Sequence, residues 1–112
     1  MTRGDAAEAL AAAFLQARGL KIVKRNYRCK AGEIDLIAHS GSTTVFVEVR
    51  ARSSDRFGGA AASITAAKRR RLITTARYYL AQQGGARACR FDVVLLSGAA
   101  REIEWIQDAF GE

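Results

Sequence analysis

Asp35 and Glu48 are the residues of this chain whose type and spacing best suit them to chemistry. Each lies in a run of β-branched and apolar residues, 33–38 and 44–50, at a position where a half-buried strand calls for a hydrophobe. Between the runs stands Ser40-Gly41-Ser42-Thr43, a hairpin signal. A two-residue turn at Gly41 and Ser42 sets Asp35 opposite Glu48, Glu33 opposite Arg50 and Ile37 opposite Phe46. On the other face it pairs Leu36 with Val47 and Ile34 with Val49. Strict alternation thus predicts one wholly apolar face and one carrying Glu33, Asp35, Glu48 and Arg50. Facing carboxylates repel, and burying them costs free energy unless a cation neutralises them. An oxygen-seeking divalent ion, Mg2+ or Mn2+, turns that repulsion into binding.

The surrounding elements follow from periodicity and punctuation. Asp5 to about Arg18 reads as an alanine-rich helix with a stripe of Leu10, Phe14 and Ala17, closed by Gly19. Leu20 to Tyr27 reads as a first strand, charged enough to sit at a sheet edge. After the hairpin comes a loop over 53–62 with Gly58-Gly59 at its centre. Ser63 or Thr65 can cap a second helix that runs to about Gln83 and ends at Gly84-Gly85. Its inward stripe is Leu72, Ile73, Ala76, Tyr79 and Leu80. Strands over 90–96 and 102–106 complete an α-β-β-β-α-β-β order, which predicts an α/β domain with a mixed central sheet.

The chain of 112 residues is one domain's worth and carries a net charge of +7 with no proline. No apolar run is long enough to span a bilayer and the N-terminus lacks a signal segment, so the expected location is the cytoplasm. Cys29 and Cys89 form no metal-ligand pattern and read as reduced thiols, while His39 falls in the predicted turn. The cations are clustered: Lys24, Arg25, Arg28 and Lys30 before the hairpin, Arg50, Arg52 and Arg56 after it, and Lys68 to Arg71 in a run. A single cluster of this kind is usually a solvated face. Three of them around an acidic hairpin point to a polyanion, with DNA favoured over RNA and no membrane role. Candidate contacts are Arg25, Arg28, Lys30, Arg52, Arg56, Gly58, Arg69 and Arg70.

Several segments together resemble the YraN-like family of small bacterial proteins. They are Ala7-Glu8, Arg18-Gly19, Arg25-Asn26-Tyr27-Arg28, Gly32-Glu33-Ile34-Asp35-Leu36-Ile37-Ala38, Val45-Phe46-Val47-Glu48-Val49-Arg50, Phe57-Gly58-Gly59-Ala60, Lys68 and Arg90-Phe91-Asp92-Val93-Val94. That family is similar to Holliday-junction resolvases of the restriction-endonuclease-like superfamily. The resemblance implies a three-layer α/β/α domain with a mixed central β-sheet. It implies a Mg2+- or Mn2+-dependent endonuclease acting on branched or structured DNA, and by analogy a homodimer. Asp35 and Glu48 match the metal-binding acids, and Glu8 matches a first-helix glutamate that completes such sites. Bottom-up, Glu8 shares a helix face with Leu15, but an acid in a first helical turn is also favoured by the helix dipole alone.

Glu48-Val49-Arg50 departs from the Glu-x-Lys pattern of these nucleases. Arginine can stabilise charge on a phosphate, but it stays protonated and cannot serve as a base. Lys68 is the second cation to weigh. It interrupts the inward stripe of the second helix, where it either snorkels to solvent or reaches the acids and a phosphate. Arg50 and Lys68 therefore join Asp35 and Glu48 as catalytic candidates. Gly58 and Gly59 either admit a phosphate closely or merely connect two elements. Asp92 reads as structural, paired with an arginine, and Trp105 as packing. The alternative to an enzyme is a non-catalytic nucleic-acid-binding protein that keeps the fold.

Overall fold

Two helices sandwich a five-stranded sheet in the computed structural model, which describes residues 3–52, 64–85, 87–97 and 102–111. The elements are α1 (Arg3–Ala17), β1 (Lys21–Cys29), β2 (Gly32–Ser40), β3 (Thr43–Arg52), α2 (Ala66–Gln82), β4 (Cys89–Ser97) and β5 (Glu102–Phe110). The strands lie in sequence order, antiparallel except for β3 and β4. That parallel pair needs a crossover, and α2 is the element that supplies it. The expected element order, the mixed sheet and the three-layer α/β/α arrangement are all present. β1 is an edge strand, as its charge suggested, and β5 runs four residues further than expected, to Phe110.

Local chemistry explains the boundaries. α1 ends in a Schellman motif: Leu20 N–H donates to Leu15 C=O at 3.1 Å and Gly19 N–H to Gln16 C=O at 3.0 Å, with Gly19 at φ 93°. Thr65 caps α2, its hydroxyl accepting from Lys68 N–H at 3.1 Å. The hairpin turns at Gly41, φ 60°, in the expected register, with Leu36 on Val47, Ile37 on Phe46 and Ser40 on Thr43. His39 lies within β2, paired with Thr44, rather than in the turn.

The core is two layers deep. Ala11, Ala12 and Leu15 of α1 cover Leu36, Ala38, Val45, Val47, Val94 and Leu96. Leu72, Ala76 and Tyr79 of α2 cover Ile37, Phe46, Phe91, Val93 and Leu95. β4 is buried on both faces, as the strand beside a parallel crossover must be.

Two expectations about faces are corrected. The α1 stripe runs through Ala11, Ala12 and Leu15, with Leu10 and Phe14 at its margin and Ala17 exposed. Small alanines let the helix axis close on the sheet, and Phe14 turns aside to meet Trp105 edge-on at 6.3 Å. Leu36, Ala38, Val45 and Val47 of the hairpin form an apolar face under α1, as expected, while Ile37 and Phe46 pack under α2 on the acid-bearing side. Ile34 also packs there, whereas Leu36 packs under α1, so strict alternation fails between them. Across from this change of face, Arg25 pairs with Leu36 and Tyr27 with Ile34 in one register, with the intervening Asn26 at φ 52°; the register shift of β1 falls earlier, between Ile22 and Lys24.

Candidate active site

Asp35 sits at that dislocation. The β2–β3 pairing stops at Leu36 and Val47, one residue before the acids. Beyond it the Asp35 side chain takes over from the backbone, Oδ2 accepting Val49 N–H at 2.8 Å. Asp35 and Glu48 therefore meet where the hairpin opens, and together line a cleft of about 270 Å³ with Ala7, Glu8, Val49, Arg50, Ala51 and Lys68. β2 and β3 bring the acids and Arg50, the start of α1 brings Glu8, and α2 brings Lys68.

Lys68 is the first residue of the inward stripe continued by Leu72, Thr75, Ala76 and Tyr79. Its Nζ lies 2.5 Å from Glu48 Oε2, whose side chain is only 5% exposed, so it reaches the acids instead of solvent. The contact is an ion pair without hydrogen-bond alignment, because Oε2 finds no properly directed donor. Arg50 Nε stands 3.9 Å from the same oxygen. Burial pushes the Asp35 carboxyl up to about 8, and the hydrogen bond and charge of Glu48 push the same way. The Val49 N–H opposes this rise, and Glu8 adds a further upward contribution from the cleft wall. The Asp35 carboxyl thus holds its proton at neutral pH, the charged form being disfavoured by burial and by the neighbouring acid.

Glu8 begins the buried stripe of α1, followed by Ala11, Ala12 and Leu15 at helical spacing. Among the described residues no three His, Cys, Asp or Glu side chains converge tightly enough to grip an ion. The donor set is therefore buried Glu48 and half-buried Asp35, with a third acid on the rim. Such hard oxygens suit Mg2+ or Mn2+, since Mg2+ keeps several waters and needs few protein ligands.

The remaining candidates separate by position. Glu33 pairs with Arg28 at 2.8 Å, not with Arg50, because the slip at residues 34–36 carries it away from the acids. Arg25 and Lys30 are exposed on β1 and the turn after it, and Arg70 is exposed on α2. Arg69 is drawn inward, donating to Ile64 C=O at 3.1 Å with its guanidinium 5.6 Å from the Phe110 ring centre. Arg56, Gly58 and Gly59 lie outside the described residues, and Arg52 is described by its backbone alone. Asp92 is structural: its carboxylate accepts from Arg90 at 3.0 Å, Trp105 Nε1 at 2.9 Å and Asp108 N–H at 2.9 Å. Sequence reasoning missed the Val49 N–H and the role of Trp105 as a donor, since both depend on where a ladder breaks. Among the described residues no helix is long and apolar enough to cross a membrane.

Sheet order, layering and the acid-lined cleft at the opening of the hairpin define a three-layer α/β/α protein compatible with a nuclease-like fold. The chain belongs to the uncharacterised protein family UPF0102, the YraN-like proteins, whose model matches residues 7–96. A UPF0102 protein of Nitrosomonas europaea is 63% identical over 98% of this chain and 94% of its own length. A UPF0102 protein of Methylobacillus flagellatus is 60% identical over 96% and 95%. One of Ralstonia nicotianae is 58% identical over 96% and 85%.

Proposed function

We propose that this protein is a metal-dependent endonuclease acting in the cytoplasm on DNA, with branched or otherwise structured DNA as its substrate. The observation that carries this reading is the convergence of half-buried Asp35 and buried Glu48 with Lys68 from a different layer. A structural role gives no reason to place two acids where their charges oppose one another. Asp35 and Glu48 would hold Mg2+ or Mn2+, with Glu8 reaching it from the rim. A bound ion would polarise the phosphate and favour a hydroxide nucleophile. Lys68 and Arg50 supply positive charge beside the acids, suited to the negative charge that develops on a phosphate under attack. Val49 N–H orients the Asp35 carboxyl, so the cleft is organised before substrate arrives.

Arg50 favours a second reading, a nucleic-acid-binding protein without turnover. Its guanidinium cannot take a proton from water, and Lys68 is already engaged with Glu48. A cleavage assay on junction, flap and duplex DNA with Mg2+ or Mn2+ separates the two. Nicking that disappears in Asp35→Asn supports the nuclease. Equal nicking by wild type and Asp35→Asn identifies a contaminant and removes the assignment. Salt-sensitive binding without nicking under either metal establishes the second reading.

A further inference from the structure

We propose that the groove between α2 and the β1–β2 turn is a phosphate site, holding a nucleic-acid backbone beside the acidic cleft. It takes its partner class from the nuclease reading and adds a place where the strand is gripped. The groove holds about 380 Å³ and is lined by Ala31, Ala67, Arg70, Arg71 and Thr74.

The charge of α2 calls for an explanation. The helix contains Lys68, Arg69, Arg70, Arg71 and Arg77 and not one acid. Four of those cations crowd its first two turns, where the helix dipole disfavours positive charge. Lys68 and Arg69 are engaged internally, with Glu48 and with Ile64 and Phe110. Arg70 and Arg71 are exposed, and neither guanidinium has a partner among the described residues. Both line the groove, and exposed Lys30 directly precedes Ala31 of the opposite bank.

The groove is held in shape by close packing. A Cβ at Gly32 would come within 3.2 Å of Thr75 Oγ1, so the turn carrying Lys30 and Ala31 is pressed against the helix. Ala31 and Ala67 leave its floor open to a bulky anion, while the arginine forks match the geometry of phosphate oxygens. Arg71 follows Lys68 by one helical turn, about 4.5 Å along the axis. The groove therefore adjoins the lysine that faces the acids, so a strand gripped there runs past the cleft.

Fluorescence anisotropy with a labelled DNA duplex in EDTA tests the site without any cleavage step. Arg70→Gln/Arg71→Gln should weaken binding about tenfold and reduce the slope of log affinity against log salt by about two. Arg18→Gln, which removes a cation just beyond α1 that stacks on Phe14, should leave both unchanged. Unaltered binding by the double variant overturns the proposal. So does an equal loss with Arg18→Gln, which would mean diffuse charge, or equal displacement by polyglutamate of matched charge, which would mean an acidic protein. Cleavage with Mg2+ is read separately. Binding that depends on the two arginines without cleavage refutes the nuclease and leaves the groove. Cleavage with arginine-independent binding does the reverse.

Discussion

Two acidic spots in one sheet behave in opposite ways. Asp92 is 1% exposed, yet Arg90, Trp105 and the Asp108 N–H satisfy it from three directions. Asp35 is half-buried, has one backbone donor and faces another carboxyl. A buried charge with a full set of donors is part of the architecture. An acid pair lacking one is held at a cost by the rest of the fold, and that is where an added cation gains most. β5 shows the investment on the structural side: its strand bulges at Asp108, φ 52°, and presents the N–H that Asp92 accepts.

The largest effect should come from the satisfied acid. Asp92→Ala strands the Arg90 guanidinium and the Trp105 N–H, and urea denaturation should show a loss of about 3 kcal/mol. A loss no bigger than that of a surface change would erase the distinction between the two spots.

Asp35 should respond in the other direction. Its folded carboxyl titrates near 8, above its unfolded value, so the folded chain retains a proton that the unfolded chain releases. Stability from this group is complete at low pH and is lost as pH rises through about 4 to 8. Asp35→Asn keeps an oxygen for the Val49 N–H and removes the titration. It should stabilise the protein by about 1–3 kcal/mol at pH 9, with little gain at pH 4. Thermal melts across that range check it, and destabilisation at pH 9 would mean the pair is content without a cation.

Lys68→Ala should cost about 1 kcal/mol at pH 7, discounted because the lysine side chain is 34% exposed. Adding Glu48→Gln should recover most of that loss, since the stranded charge goes with it. Independent, additive losses would show that the ion pair is incidental. The smallest effect belongs to Arg28→Ala, whose pairing with Glu33 lies at the surface. No measurable shift in the unfolding midpoint is expected, which sets the baseline for the other three.

The hairpin register was readable because Gly41-Ser42 and the alternating hydrophobes leave one solution, and Leu36 on Val47 confirms it. The caps at Thr65 and Gly19 were equally local. The α1 stripe was misassigned because large side chains were taken as the contact line, whereas alanines form it. The fate of Lys68 stayed open for a related reason. A lysine on an inward stripe can snorkel or pair, and only the position of Glu48 in a different layer settles which.

The order of strands and helices, their turns and the coming together of Asp35 and Glu48 follow from residue pattern alone, because each is decided by neighbours in sequence or directly across a hairpin. Tertiary structure decided the rest. The slip that parts Ile34 from Leu36 moves Glu33 away, aims Asp35 at the Val49 N–H and lets α1 and α2 deliver Glu8 and Lys68 to one cleft. Those outcomes depend on where a ladder breaks and how closely two layers pack, which no local pattern encodes.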